Sequence, residues 1–374
     1  MRRHKFLWIL VVLVAVYVLW LGSEVIRFKP YRSRLTAGGP EVEGVYHLHS
    51  TFSDGRKDIE TIARIAAGEG VQFLILTDHG SPNYKSLSAQ GWKSGVLVLA
   101  GSELSVSRGH LVALGFQPPD KPFPQNAEDS LREIRHQGGF TVIAHPFSKV
   151  PWTWGGNEGD SAIEIINGDT ELRYHFLKSL PWLPALLIKP RLALIKMLGN
   201  PVQSLAKWDE QSLKHPVYGY FSSDAHMLYG PLFSFLRVHI FLKQPLAADF
   251  ATARNQVFEA LRTGKFYNAV DAAAPARGFR FWAVKNWKRI PMGRELQAPL
   301  PVTLRIRAPY RFPKEVRLVR DGRKVFSTKK SLCAFTATAP GVYRVEVYLT
   351  GRTALAKDVP WIVSNPIFLR EDKR

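Results

Sequence analysis

His47 and His49, in the stretch VYHLHSTFSDG, stand two residues apart, and Asp54 follows at the end of a Ser/Thr-rich turn. Along a strand, residues i and i+2 project to the same face, so the two imidazoles would share one space. Two ring nitrogens on one face, with a carboxylate close behind, are the makings of a metal site. Taken alone, the pair is also what an exposed strand carrying two histidines would show, and the rest of the chain decides between the readings.

The elements that must position such groups are short β-branched runs alternating with helical patterns. Strands are predicted over 45–48, 73–77, 96–100, 111–114, 141–144, 162–166 and 217–221. Between them, IETIARIAAGEG spaces Ile59, Ile62 and Ile65/Ala66 on one helix face and stops at glycine, and DSLREIRHQGG does likewise from a polar start. That alternation argues for a parallel sheet or barrel. Nearly every further candidate ligand falls at a strand end: Asp78 and His79 after 73–77, Glu103 after 96–100, His145 after 141–144, and Asp224 and His226 after 217–221, with His110 opening the run HLVALG. In α/β folds, functional groups collect at the carboxyl ends of parallel strands, where the loops converge.

The 374 residues and 46% hydrophobic content suffice for one large and one small domain. A single cysteine, Cys333, excludes an internal disulfide framework and a thiolate cluster, so any metal must be held by His, Asp and Glu. Of the net +20, residues 276–374 carry +15, with 22 Lys and Arg against 7 Asp and Glu. Such a field suits an anionic membrane surface, or simply a solvated basic face; no nucleic-acid-binding motif accompanies it. From Phe279 the texture turns to VTLRIRA, EVRLVRDGRKVF and GVYRVEVYL, with Asp-Gly at 321 and 322 marking a turn, which predicts a small antiparallel β domain.

Near the N-terminus, Phe6 to Gly22 is an uncharged run that as a helix would span about 26 Å, close to a hydrocarbon core. Trp20/Gly22 and Leu21/Ser23 fit a cleavage site poorly, so an uncleaved anchor is predicted. Arg2, Arg3 and Lys5 nearly balance Arg27, Lys29, Arg32 and Arg34; the short flank points to a cytoplasmic N-terminus with the body in the periplasm or otherwise outside. A second apolar stretch, 176–199, contains three prolines and four basic residues. It predicts a helical insert packed on the body or lying in the membrane interface, not a second span.

HLHSTFSDG, LTDHG, GSELS followed by GHLVALG, IAHPF and SSDAH resemble, in that order, the motifs of the polymerase and histidinol phosphatase (PHP) superfamily of metal-dependent phosphoesterases, over about residues 43 to 270. ALRTGKFYNAV and PWIVSNPIFL further resemble its CehA/McbA-like branch of carbamate hydrolases. The resemblance implies an α/β fold: a distorted (β/α)7 TIM-like barrel over 43–275 with a helical insert at about 172–215. An anchor over 1–24 and a linker over 25–42 precede it, and a β-sandwich-like domain over 276–374 follows. It implies two or three divalent ions (Zn, Mn or Fe): one on His47, His49, Glu103 and Asp224, a second on Asp54, His79 and His226, a third on His110 and His145 with Glu103 bridging. Asp78 is then a supporting group, and His175, His215 and His239 lie outside the motifs.

The implied reaction is hydrolysis by a metal-bound hydroxide with no protein nucleophile. A small-molecule phosphate ester is the first expectation for the substrate, and a carboxylic or carbamate ester the alternative. A third possibility is a membrane-tethered binding protein whose basic domain is the working part. Lys149, Arg56 and Arg108 lie beside motifs and could grip a phosphate; the loop 149–160, with Trp152 and Trp154, is where specificity is expected.

Overall fold

The computed structural model describes residues 2–29, 41–155, 161–174, 176–297, 299–351 and 354–370. Most of the expected linker over 25–42, including Arg32 and Arg34, lies outside the described residues, as do His175 and positions 156–160 of the predicted specificity loop.

Arg2–Arg27 is one helix, and its segment His4–Arg27 is long and apolar enough to cross a membrane. Its side chains from Phe6 to Leu19 are largely exposed, but its last turns meet the rest of the protein. Leu21 is buried with Ala185 and Ala193, the Tyr17 hydroxyl donates to the Pro181 carbonyl at 2.9 Å, the Trp20 and Trp182 rings lie 4.8 Å apart, and Lys196 pairs with Glu24 at 3.5 Å.

The body is built from two sheets that close on each other. In the first, Glu41–Leu48, Phe73–Leu76 and Val96–Ala100 pair in parallel. FLIL and VLVLA are buried at every position, as strands covered on both faces must be. In the second, Ser102–Val106, Gly109–Leu114, Phe140–Ile143, Ala162–Asn167 and Gly219–Ser222 lie in that order. Helices pack outside. Ile59–Gly68 buries Ile59, Ile62, Ala63 and Ala66 and starts where the Asp58 carboxylate accepts from the Thr61 N–H at 2.9 Å.

One expectation is corrected. The run 111–114, read as one of seven parallel strands, is antiparallel to both neighbours. Val106 pairs with Gly109 across a two-residue turn, and a turn that short permits only an antiparallel return. Of the C-terminal strands, Lys288–Pro291, Arg280–Lys285, Val302–Arg307 and Leu332–Ala337 form an antiparallel sheet of their own, while the others share a sheet with the body. Ile362–Ser364 pairs with both Phe266–Val270 and Gly341–Leu349, and one apolar core runs from Leu48 and Ile163 to Leu304 and Val345. The cause lies in PWIVSNPIFL, where Ile362, Val363, Ile367 and Phe368 are fully buried and need a second layer to cover them. Asp321 and Gly322 do form the predicted turn, with φ of 51° and 77°, the positive pair that a tight hairpin between twisted strands requires.

Between Ala162–Asn167 and Gly219–Ser222 the chain makes a run of short helices, Gly168–Tyr174, Phe176–Ser179, Leu183–Ile188 and Pro190–Met197, then the longer Val202–Lys214. The breaks fall at Pro181, Pro184 and Pro190, each of which removes a backbone donor.

Candidate metal centre

The site lies on the two seams where the sheets meet. At one, the Asp224 N–H donates to the His47 carbonyl at 2.7 Å and the His49 N–H to the Ala225 carbonyl at 3.0 Å; at the other, the Glu103 N–H donates to Thr77 at 3.1 Å and the Gly80 N–H to Glu103 at 3.1 Å. His47 and His49 converge for a different reason than strand alternation. Pairing with Phe73–Leu76 slips between Tyr46 and Leu48, His47 has φ of 63°, and His49 lies beyond the strand end. Their Nε2 atoms still come within 3.2 Å. His145 and Asp224 also hold positive φ, 26° and 50°. Backbone of that kind costs on the order of 1–3 kcal/mol per residue and persists where the surroundings over-determine it, most often at functional sites.

The expected ligands form three overlapping groups. His47 and His49 Nε2 lie 3.1 and 3.2 Å from Glu103 Oε2, and both lie 3.3 Å from Asp224 Oδ1. A tetrahedral ion with bonds of about 2.0–2.1 Å separates its donors by about 3.3–3.4 Å, so these spacings match such a cage. Glu103 Oε1 lies 2.9 Å from both His110 Nδ1 and His145 Nε2. One carboxylate thus faces two groups with different oxygens. Asp54 Oδ2 lies 3.2 Å from His226 and 3.8 Å from His79, and its Oδ1 lies 3.6 Å from His49, which joins this group as well.

The electrostatics suit a cation. Burial opposes a charge on His47, but Asp224, Glu164 and Glu103 outweigh it and hold the ring well above the ordinary histidine value; His49 is pushed up to about 9, with burial opposed by hydrogen bonds to Asp224 and Glu103. Glu103, despite burial, is held well below the carboxylate range by His47 and by hydrogen bonds from His110 and His145. Protons and divalent ions compete for the same nitrogens, so surroundings that attract the one attract the other. Among the described residues no Lys or Arg pairs with Asp54, Glu103, Glu164 or Asp224.

Sequence reasoning missed the supports. Glu164, fully buried, takes the His47 Nδ1–H at 2.6 Å and the His145 backbone N–H at 2.9 Å, and Asn167 bridges it to Asp224 at 2.8 and 3.1 Å. A lone acid inside the apolar run AIEII was the available signal. Asp78 belongs to none of the three groups. It accepts from Ser50 N–H and Oγ and Ser53 Oγ at 2.7 Å and from Ser86 Oγ at 2.5 Å, fastening the loop that follows His49.

The groups open into a cleft of about 530 Å³ lined by Asp54, His79, Glu103, His110, His145, Asp224 and His226, with Lys149 at its edge. Its far wall, Asp169, Thr170, Arg173 and Tyr174, comes from the helix Gly168–Tyr174 and carried no sequence signal. Arg108 is no phosphate grip, because Glu128 at 2.6 Å and the Thr153 carbonyl at 2.8 Å occupy it. Arg56 does not line the cleft.

A fourth cluster, Glu43, His239 and Asp271, is also within metal-binding reach. It is already neutralised. His239 contacts Glu41 at 3.3 Å and Asp271 at 3.0 Å through its two nitrogens, Arg237 and Arg277 each pair with Glu43 at 2.7 Å, and Arg280 pairs with Glu41 at 2.6 Å.

No family model matches the chain. An uncharacterized protein of Methanocaldococcus jannaschii is 29% identical over 103 residues, 26% of this chain and 58% of that protein, so the chain spans less than two thirds of its length. A two-domain protein of Bacteroides vulgatus containing a predicted PHP-like metal-dependent phosphoesterase aligns over 91% of this chain and 99% of its own, at 15% identity and a TM-score of 0.45. An amidohydrolase of Chromobacterium violaceum, with bound sulfate and no metal, aligns over 49% of this chain and 87% of its own, at 18% identity and a TM-score of 0.32.

Proposed function

We propose that the protein is a membrane-anchored, metal-dependent phosphoesterase of the PHP superfamily. The observation that carries this reading is the four-donor cage of His47, His49, Glu103 and Asp224, with the second oxygen of Glu103 turned to His110 and His145. His47, His49, Glu103 and Asp224 would hold one divalent ion, Asp54, His79 and His226 a second, and His110 and His145 with Glu103 a third. Such ions acidify water and neutralise charge developing on a substrate oxygen.

The chain's own residues do the rest. Glu164 can only accept, so His47 donates from Nδ1 and turns an Nε2 lone pair to the cage; the Asp224 carbonyl at 3.0 Å does the same for His226. Lys149, exposed and with no carboxylate partner among the described residues, is placed to hold a phosphate oxygen. That cation favours an anionic phosphate ester over a neutral carboxylic or carbamate ester. The complete ligand set counts against a purely binding role.

Retention of the anchor is supported by the burial of Leu21 against Ala185 and Ala193, which cleavage would expose. A body outside the cytoplasmic membrane is the orientation we propose; C-terminal reporter fusions test it, and activity of a cytoplasmic reporter would reverse it. The +15 of residues 276–374 suits an anionic lipid surface. The central experiment assays the full chain in detergent with Mn²⁺ or Zn²⁺ on phosphomonoesters, phosphodiesters, aryl esters and carbamates. Metal-dependent phosphate release is expected. Absence of bound metal by elemental analysis, with no hydrolysis restored by any divalent ion, would sink the reading, and faster carbamate cleavage would replace it with the alternative.

A further inference from the structure

The cleft and the membrane segment share one piece of chain. Asp169, Thr170, Arg173 and Tyr174 form a cleft wall; three residues beyond Tyr174, Leu177 is 79% exposed, and Leu187 and Ile188 follow at 91% and 64%. Soluble surfaces rarely present large apolar side chains in such a group. The insert that carries them is fixed to the span: Pro181 and Trp182 meet Tyr17 and Trp20. Tyr17 lies five residues inside the end of the uncharged run at Gly22, about 8 Å along the helix at 1.5 Å per residue. Interfacial helices bury their apolar faces by about 5–10 Å, so contact with Tyr17 sets the insert at that depth. Arg27, Lys29 and Arg311 line a separate cleft of about 560 Å³ where the span ends, the level of lipid headgroups. The insert is also tied back to the catalytic wall, since Glu171 accepts from the Gly199 N–H at 2.7 Å.

From this continuity we infer that the substrate is a phosphate ester carried by a lipid of the same membrane, its phosphate in the cleft and its tails in the bilayer beside residues 176–197. The inference rests on the phosphoesterase reading and adds the substrate class. In the reaction, the oxygen of water bonds to phosphorus, the bond from phosphorus to the lipid oxygen breaks, and a proton from that water ends on the departing lipid alcohol. Lys149 holds the phosphate on one side of the cleft, and Tyr174 stands at the wall nearest the insert.

The test reconstitutes the full chain in phosphatidylcholine vesicles with Mn²⁺ and compares three probes: phosphatidic acid in the vesicles, and glycerol 3-phosphate and p-nitrophenyl phosphate in solution. Confining enzyme and substrate to one surface should make phosphatidic acid the better substrate by about tenfold or more over glycerol 3-phosphate. Leu187→Glu with Ile188→Glu, both exposed, should remove that advantage and leave p-nitrophenyl phosphate hydrolysis unchanged. Independently of activity, Leu187→Cys in a Cys333→Ser background, labelled with an environment-sensitive fluorophore, should blue-shift in vesicles and be quenched by nitroxides on lipid tails. A fluorophore that stays in water, or glycerol 3-phosphate hydrolysed as fast as phosphatidic acid, overturns the lipid assignment while leaving the phosphoesterase reading intact. Phosphate from none of the three probes overturns the lipid assignment, and if a phosphodiester is not cleaved either, the phosphoesterase reading falls with it.

Discussion

One strand, Glu41–Leu48, carries a buried cluster of carboxylates and histidine at each end, and the two ends have opposite chemistry. At its start, Glu41 and Glu43 meet Arg237, Arg277, Arg280 and His239; at its finish, His47 meets Glu103, Glu164 and Asp224 with no guanidinium among the described residues. Arginine stays charged at any working pH and has no lone pair to offer, so it completes the first cluster as an ion-pair lock. Imidazole can give up its proton, so the second cluster can exchange protons for metal. Residue composition alone does not separate the two. The presence or absence of a permanent cation does.

The comparison breaks most sharply under double substitution. His47→Ala with His49→Ala should lower hydrolysis by about 10³-fold or more and deplete bound metal by elemental analysis. Arg237→Ala should act on stability instead. It takes one of two guanidinium partners from buried Glu43, and a loss of about 3 kcal/mol in denaturant unfolding is expected, with metal content per folded molecule unchanged.

The lock also sets a pH response away from the metal. His239 is pushed up to about 10, burial being outweighed by Asp271 and Glu43. A raised histidine contributes fully below its unfolded value near 6.5, and that contribution fades as the pH climbs through 10. Glu41 is pulled down to about 2 by His239 and Arg280 against its burial, so its contribution is present above 4.5 and fades as the pH falls toward 2. Thermal midpoints measured across pH should therefore be highest between about 4.5 and 6.5 from this network, and His239→Gln should flatten the alkaline decline. An unchanged alkaline limb in that variant would assign the decline to other groups.

The smallest expected effect sharpens the contrast. Glu164→Gln keeps the shape but weakens the hold on His47 Nδ1, and metal affinity by competition with a chelator should fall about 10–100-fold. Stability should hardly change.

The sequence by itself determined the local features: buried strands from continuous apolar runs, a helix face from Ile59, Ile62 and Ala66, the hairpin at Asp321 and Gly322, an apolar helix long enough for a membrane, and strand-end histidines and carboxylates that the fold draws together. Each depends on a few neighbouring residues, so periodicity, capping and turn chemistry suffice to reveal it. Tertiary structure alone decided the bulge that brings His47 to His49, the antiparallel 109–114 strand, the shared core with the C-terminal strands, and the Glu164 and Asn167 supports. It also decided which buried cluster meets arginine. Arg237 and Arg277 reach Glu43 from 194 and 234 residues away, and pairings at that range arise only when the whole sheet closes. No local pattern in a sequence encodes them.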